Sequence, residues 1–257
     1  MELKNNTILI TGGTSGFGLL FATKLLALGN TVIVTGRNQA KLDQLKKQLP
    51  AIHTFKSDVS KPDEILKLSE LVIAQFPHLN ILINNAGEMR TINLQDATID
   101  LNDITREVEI NLMGPIRMVQ AFLPQLKKQK SAAILNVTSG LALFPFPISP
   151  VYGASKSGLR SYTQSLRVQL KNTTVKVFEL VAPGSKTPLN DKFVNVDGFD
   201  EKTSMDPVKI VDAAIKGLQS NQYEILPGIA KVMKFMSRLA PKFLLSQTSK
   251  VGAKLMQ

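Results

Sequence analysis

Thr7-Ile8-Leu9-Ile10-Thr11-Gly12-Gly13-Thr14-Ser15-Gly16-Phe17-Gly18 is the stretch that sets the architecture of this chain. Residues 7 to 10 form a short apolar run of the kind that becomes a strand buried on both faces. Glycines at 12, 16 and 18 let the backbone turn tightly and come close to a ligand. Phe17 to Leu28 then reads as a helix capped by Gly29, and Thr31-Val32-Ile33-Val34-Thr35 as a second strand. Strand, glycine turn, helix, strand is the context in which a glycine motif binds a dinucleotide. The helix N-terminus offers unpaired N–H groups and a partial positive charge to a pyrophosphate. A tight structural turn is the other reading of the same glycines.

Alternating strand and helix signals continue on the far side of this unit. Asn38 is placed to cap an amphipathic helix from Gln39 to Leu49. Ile52 to Phe55 is a third strand. Ser60 reads as the cap of a helix from Pro62 to Phe76, with proline in its first turn. Ile81 to Asn84 is a fourth strand, followed by a polar connection over residues 88 to 100. A long helix is expected from Leu101 to Gln129, bent at Pro115 and Pro124. Ala133 to Thr138 is a fifth strand, Val151 to Leu170 a helix, Val175 to Val181 a sixth strand, Pro207 to Ser220 a helix, and Tyr223 to Ile225 a short last strand. This pattern predicts an α/β fold: a single doubly wound parallel sheet of about seven strands, with helices on both faces. The 257 residues suit one such domain. We assign it residues 1–228 and treat 229–257 as a basic amphipathic tail.

Bulk properties narrow the partners. Lysine and arginine total 31 against 20 aspartate and glutamate, a net charge of +11. Such a chain either binds a polyanion or is simply a basic soluble enzyme. No recognition helix, aromatic-interleaved basic strand or zinc pattern accompanies the charge, so no nucleic-acid partner is expected. There is no cysteine, and His53 and His78 have no partner at ligand spacing, so no metal site is expected. No apolar run approaches the roughly 20 residues of a membrane span. The first strand begins almost at once, leaving no room for a signal peptide, and the cytoplasm is the expected location.

The chemistry concentrates in Val151-Tyr152-Gly153-Ala154-Ser155-Lys156. On a helix, Tyr152 and Lys156 share one face. An ammonium about 4 Å from a phenol, at an effective dielectric of about 20, favours the phenolate by roughly 4 kcal/mol before burial pushes the other way. Alone, this spacing is no more than a surface helix pair. Ser139 ends an apolar run thirteen residues earlier, Asn84-Asn85-Ala86-Gly87 ends another, and Asn111 sits inside the expected long helix, where asparagine is normally unfavourable. After the second strand stands Gly36-Arg37, where an NAD site usually places an acid for the ribose 2′-hydroxyl. A guanidinium there can clamp a 2′-phosphate, although a solvated turn residue is the plain alternative.

In order and spacing, these residues resemble the short-chain dehydrogenase/reductase family over about residues 5 to 227, and within it the DltE-like oxidoreductase branch. The resemblance implies a Rossmann fold and an oxidoreductase that moves hydride between nicotinamide and a carbonyl or alcohol. By resemblance, Ser139 holds the carbonyl oxygen, Tyr152 is the acid or base, Lys156 lowers its pKa and binds the nicotinamide ribose, and Asn111 holds a relay water. It likewise implies a cofactor site made by Gly12, Thr14, Ser15, Gly16, Phe17, Gly18, Arg37, Asp58, Val59, Asn84, Ala86, Gly87, Tyr152, Lys156, Pro183, Gly184 and Thr187. Arg37 goes with NADP in preference to NAD. The chain departs from the family at Thr187, which follows Gly184 after two residues where three are common. A homo-oligomer, dimer or tetramer, is also implied.

Other readings stay open. The protein could bind NADP as a sensor or scaffold, or use the same site for a dehydratase or epimerase reaction. The apolar stretch Gly140 to Pro147 either walls the substrate pocket or merely connects. Residues 189 to 205 look like a mobile substrate lid. In the tail, Val232, Phe235, Met236 and Leu239 share one helical face, and Lys231, Lys234, Arg238 and Lys242 another. Such a helix can rest weakly on an anionic membrane, or pack on its own domain, close the pocket or meet a partner subunit.

Overall fold

In the computed structural model, which describes residues 1–193, 195–198 and 204–256, the alternation seen in the sequence becomes one parallel sheet. The strands are β1 (Thr7–Thr11), β2 (Thr31–Gly36), β3 (His53–Lys56), β4 (Leu79–Asn84), β5 (Ala132–Ser139), β6 (Val175–Ala182) and β7 (Glu224–Ile225). They pair in the order β3-β2-β1-β4-β5-β6-β7. The order reverses between β1 and β4, and a doubly wound sheet opens its ligand crevice at that point, beyond the strands' C-terminal ends. The central strands are buried on both faces, which is why they read as unbroken apolar runs.

One face of the sheet packs on α1 (Gly16–Ala27), α2 (Gln39–Gln48) and α8 (Pro207–Gln219), through residues such as Ile8, Phe21, Leu42 and Ile210. The other packs on α3 (Pro62–Gln75), α6 (Gly114–Lys127) and α7 (Pro150–Gln169), through Leu9, Leu68, Phe122 and Leu166. A buried polar chain crosses this second layer. The Asn84 amide donates to Asn136 Oδ1 at 2.9 Å, and the Asn136 amide donates to Thr163 Oγ1 at 2.9 Å.

Four local expectations need correction. The long helix is broken into α4 (Leu101–Ile104), α5 (Arg106–Val108), a π-helical turn (Glu109–Met113) and α6. Pro115 lies in the first turn of α6, where its missing N–H costs nothing, so it starts a helix instead of bending one. Only Pro124 is internal. Ser60 does not cap α3: Lys61 holds that position without a side-chain bond, and the Ser60 hydroxyl donates to Asp58 instead. The last strand is two residues long. The expected lid over 189–205 lies partly outside the described residues. Its described part contains a 3₁₀ turn, Asp191–Phe193, and ends at Met205, which forms a bridge to Ser185.

The tail folds back on the domain as α9 (Ala230–Leu239) and α10 (Pro241–Thr248). Lys234 on α9 pairs with Glu224 of β7, and Glu224 also takes the Arg160 guanidinium at 2.6 Å. Thr248 donates to the Pro145 carbonyl at 3.0 Å.

Candidate active site

A cavity of about 580 Å³ runs along the C-terminal ends of the strands. At one end the glycine loop is its floor. Gly12 has a positive φ of 65°, and a Cβ there would stand 2.8 Å from Ala86 Cα. A Cβ at Gly18 would stand 2.3 Å from the Gly12 carbonyl oxygen, so Gly18 serves close helix–loop packing and does not itself face the cavity. Thr14, Ser15, Gly16 and Phe17 do face it. No side chain caps the N-terminus of α1, which leaves its first amides available to an anion.

The strand ends supply the rest of this half: Arg37 and Lys41 after β2, and Ser57, Asp58 and Val59 after β3. Among the described residues, the buried hydroxyls of Thr35 and Ser57 lack a hydrogen-bond partner, and both line the cavity. Glycines that admit no Cβ, unpaired helix amides, orphan hydroxyls and a cationic rim fit a dinucleotide. Arg37 is 59% exposed, and its guanidinium is 4.0 Å from the Glu88 carboxylate. Ala86, Gly87, Pro183, Gly184 and Thr187 also line the cleft. Thr187 lies against the glycine loop, 3.7 Å from where a Gly16 Cβ would be, in spite of the shortened spacing.

Asn84 does not reach the cleft. It turns into the sheet toward Asn136, and its neighbour Asn85 does the local work. Asn85 donates to the Thr11 and Gly12 carbonyls at 3.0 and 3.1 Å, pinning the glycine turn.

At the other end, α7 and β5 bring Ser139, Tyr152 and Lys156 together, all buried. The Ser139 hydroxyl hydrogen-bonds the Tyr152 phenol. Lys156 Nζ donates to the Val137 carbonyl at 2.9 Å and stands 5.8 Å from the Tyr152 ring centre. Asn111, in the π-helical turn, is fully buried. Its amide nitrogen donates to the Glu88 carbonyl at 2.8 Å and Ser155 Oγ at 3.1 Å, and its oxygen accepts from the Glu88 N–H at 2.9 Å. Ser155 in turn donates to the Tyr152 carbonyl at 2.7 Å. Asn111 therefore ties the loop after β4 to α7. Gly87 fits between them because a Cβ there would lie 3.3 Å from Asn111 Oδ1 and 3.6 Å from Lys156 Nζ.

The electrostatics reverse one expectation. The Tyr152 phenol is pushed up to about 12, chiefly by burial, with the Ser139 hydrogen bond pulling against the rise and the nearby Glu107 carboxylate adding to it. Burial lowers Lys156 to about 8. Desolvation opposes the phenolate, so Tyr152 keeps its proton at neutral pH.

Glu107 is a residue that sequence reasoning missed. It is wholly buried, accepts from the Arg90 N–H at 2.9 Å, and has its carboxyl held above the usual range by burial. A second missed set joins the tail to the catalytic end of the sheet. Lys234 pairs with Glu224, Glu224 with Arg160, Arg160 with both oxygens of Glu179, and Glu179 accepts from Thr138, next to Ser139.

This arrangement defines an α/β nucleotide-binding enzyme with a buried tyrosine–lysine–serine centre. The chain belongs to the short chain dehydrogenase family, whose profile matches residues 6–196. It is 40% identical over 225 residues to DltE of Bacillus subtilis strain 168, described as an uncharacterized oxidoreductase, covering 88% of this chain and 89% of that one. It thus sits in the DltE-like branch, among NAD(P)-dependent enzymes. Two solved short-chain dehydrogenases share its fold, both at TM-score 0.82 and 22% identity. The one from Burkholderia phymatum, in complex with NAD, covers 96% of each chain. The one from Burkholderia cenocepacia J2315, in complex with NADP, covers 96% of this chain and 99% of that one.

The lowered lysine gives a stability prediction. The unfolded chain holds the Lys156 proton up to about 10.5 and the folded chain up to about 8. Between these values unfolding takes up a proton, so this group's contribution to stability rises with pH, by at most about 1.4 kcal/mol per unit. Denaturant melts from about pH 8 to about pH 10 should show the unmutated protein gaining at least about 1 kcal/mol on Lys156→Met. Parallel curves would contradict the burial.

Proposed function

We propose that the enzyme is an NADP-dependent reductase of carbonyl compounds, also able to run as an alcohol dehydrogenase, with Tyr152 as the acid or base. The observation that carries this reading is the buried Tyr152 phenol, hydrogen-bonded by Ser139 and placed beside Lys156 at the end of a dinucleotide-shaped cleft. When bound, the nicotinamide cofactor supplies or accepts the hydride. The Ser139 hydroxyl holds the substrate oxygen and stabilises negative charge as it develops there. Tyr152 gives its proton to that oxygen in reduction and takes it back in oxidation. Lys156 supplies the positive charge that eases the phenol's loss of its proton and is available to the nicotinamide ribose. Asn111 acts on the proton path by positioning, since both amide hydrogens are spent on Glu88 and Ser155.

The sensor reading is disfavoured by this set, because holding a nucleotide requires neither a buried tyrosine nor a buried lysine. Residues 1–228 are the catalytic domain in this reading, 229–257 an appended element, the assembly a homo-oligomer and the location cytoplasmic. No helix among the described residues is long and apolar enough to cross a membrane.

Tyr152→Phe keeps the ring and removes the proton. Turnover of NADPH with a responsive carbonyl should fall about 10²–10⁴-fold while NADPH affinity stays nearly intact. Near-normal turnover would sink the mechanism.

For the cofactor, Arg37 at the rim with Lys41 close by favours a 2′-phosphate, since charge-assisted phosphate contacts are strong. NADPH should bind more tightly than NADH. Gly36→Asp combined with Arg37→Ile should reverse the order, because the acid repels a phosphate and accepts from a hydroxyl. Equal affinities in the unmutated protein would refute the preference.

A weak anionic-membrane contact through α9 and α10 is a separate reading, favoured by their outer surface. Val232, Phe235, Leu239 and Phe243 are exposed there beside Lys231, Arg238 and Lys242. Co-sedimentation with anionic vesicles should appear at low salt, fade at high salt and disappear when 229–257 is deleted. Full-length protein left in the supernatant at low salt would end this reading.

A further inference from the structure

Besides the two layers that clothe the sheet, the protein has a third apolar cluster, and Tyr152 belongs to it. Met89, Phe146, Ile148 and Phe193, all buried, surround Tyr152, with Leu141, Leu189, Val196 and Val251 packed around them. No strand contributes to this cluster. Its members come from the connection after β4, the stretch between β5 and α7, the segment after β6, and the end of the tail. Polar loops are the usual covering of a catalytic edge. Here four separate stretches each bring apolar side chains to the same place.

The tail adds to this wall. Ile229, just before α9, and Met233 on α9 line the cavity, as do Thr248 at the end of α10 and Val251 beyond it. Met233 sulfur rests on the residue after Ser139, 3.2 Å from where a Gly140 Cβ would be. Gly252, with φ 67°, backs so closely on Ile148 that a Cβ would stand 2.0 Å from its Cδ1. The Lys234–Glu224–Arg160 ion pairs hold α9 in this place.

The charges lie elsewhere. Among the described residues, the charged side chains lining the cavity are Arg37, Lys41 and Asp58, at the nucleotide end, and Lys156, whose amine is bonded to Val137. The tail's cations turn outward or onto partners, as Lys234 does on Glu224 and Lys254 on Asp197 at 3.6 Å. A carboxylate or phosphate on the substrate would lose its water among these apolar walls, and Lys156, whose amine is bonded to Val137, is the one described cation at this end, so burying that charge is costly. A hydrocarbon chain would gain from the same walls.

We propose that the substrate of this site is an uncharged carbonyl compound with a hydrocarbon chain, or the matching alcohol, whose chain lies in the chamber lined by Ile229, Met233 and Val251. This rests on the oxidoreductase reading above. In the reduction, the carbonyl carbon gains hydride from reduced nicotinamide, its oxygen gains the Tyr152 proton, and the nicotinamide is oxidised by two electrons.

The test is NADPH oxidation with straight-chain aldehydes and methyl ketones of increasing length, each paired with a homologue ending in a carboxylate. With about 0.8 kcal/mol per buried methylene, kcat/KM should rise about fourfold per added methylene until the chamber is full. The carboxylate homologues should be at least about 100-fold poorer. Met233→Lys should flatten the dependence on length, and Met233→Leu should keep it. NADPH binding, followed by fluorescence, shows whether each variant is folded. A flat length dependence, or preference for the charged homologues, overturns the inference and leaves the oxidoreductase reading standing. If NADPH binds but no carbonyl of either kind is reduced, both fall.

Discussion

Burying an ammonium next to a phenol is the constraint on which this structure turns. Lys156 and Tyr152 are 4% exposed each, and neither meets a carboxylate directly. The Val137 carbonyl accepts a hydrogen bond from the lysine amine at 2.9 Å and Ser139 bonds the phenol, while burial drives the lysine down to about 8 and the tyrosine up to about 12. Each shift opposes the charged form, as desolvation must. The surroundings then make sense as supports for an unfavourable arrangement. β5 ends under the pair, α7 presents both residues on one face, Gly87 leaves room for the amine, and Asn111 bolts the β4 loop to α7. Such strain on ionisation is what active sites are built to hold.

Much of this was legible in the chain. Residues buried on both sides of a sheet must be apolar, so the strands declared themselves, and glycines without room for a Cβ marked the nucleotide turn. The Tyr152–Lys156 spacing gave the shared face. What escaped depended on contacts distant in sequence. Asn111 looked like a misfit in a long helix because its three bonds go to Glu88 and Ser155. The π-helical turn around it has no periodic signature. Ser60 looked like a cap, yet its hydroxyl is drawn to Asp58. Asn84 and Asn85 were indistinguishable side by side, and only strand alternation decides which one points into the sheet. The pull of lysine on tyrosine was visible, but the larger desolvation became known only with the fold. Glu107 and the Lys234–Glu224–Arg160–Glu179 chain join residues up to 74 positions apart, counting from Arg160 to Lys234, and no local pattern reveals them.

The tail shows how one short helix can carry two surfaces. The inward side of α9 places Met233 against Gly140 and Lys234 on Glu224. The outward side shows Phe235, 63% exposed, and Leu239, 67% exposed, among cations. In sequence both sides contributed to one amphipathic pattern, so the pattern alone could not say which face met the domain. The ion pair of Lys234 resolves it, because a cation assigned to the polar face is the one that ties the helix down.

Ionisation of Tyr152 tests the central claim most directly. The chain has three tyrosines, so ultraviolet difference titration of the cofactor-free protein against Tyr152→Phe isolates one phenol. The account predicts no appreciable Tyr152 phenolate below about pH 11, because burial opposes the charged phenolate. A phenolate appearing at or below about pH 10 would show that burial does not hold the phenol neutral, which contradicts the account.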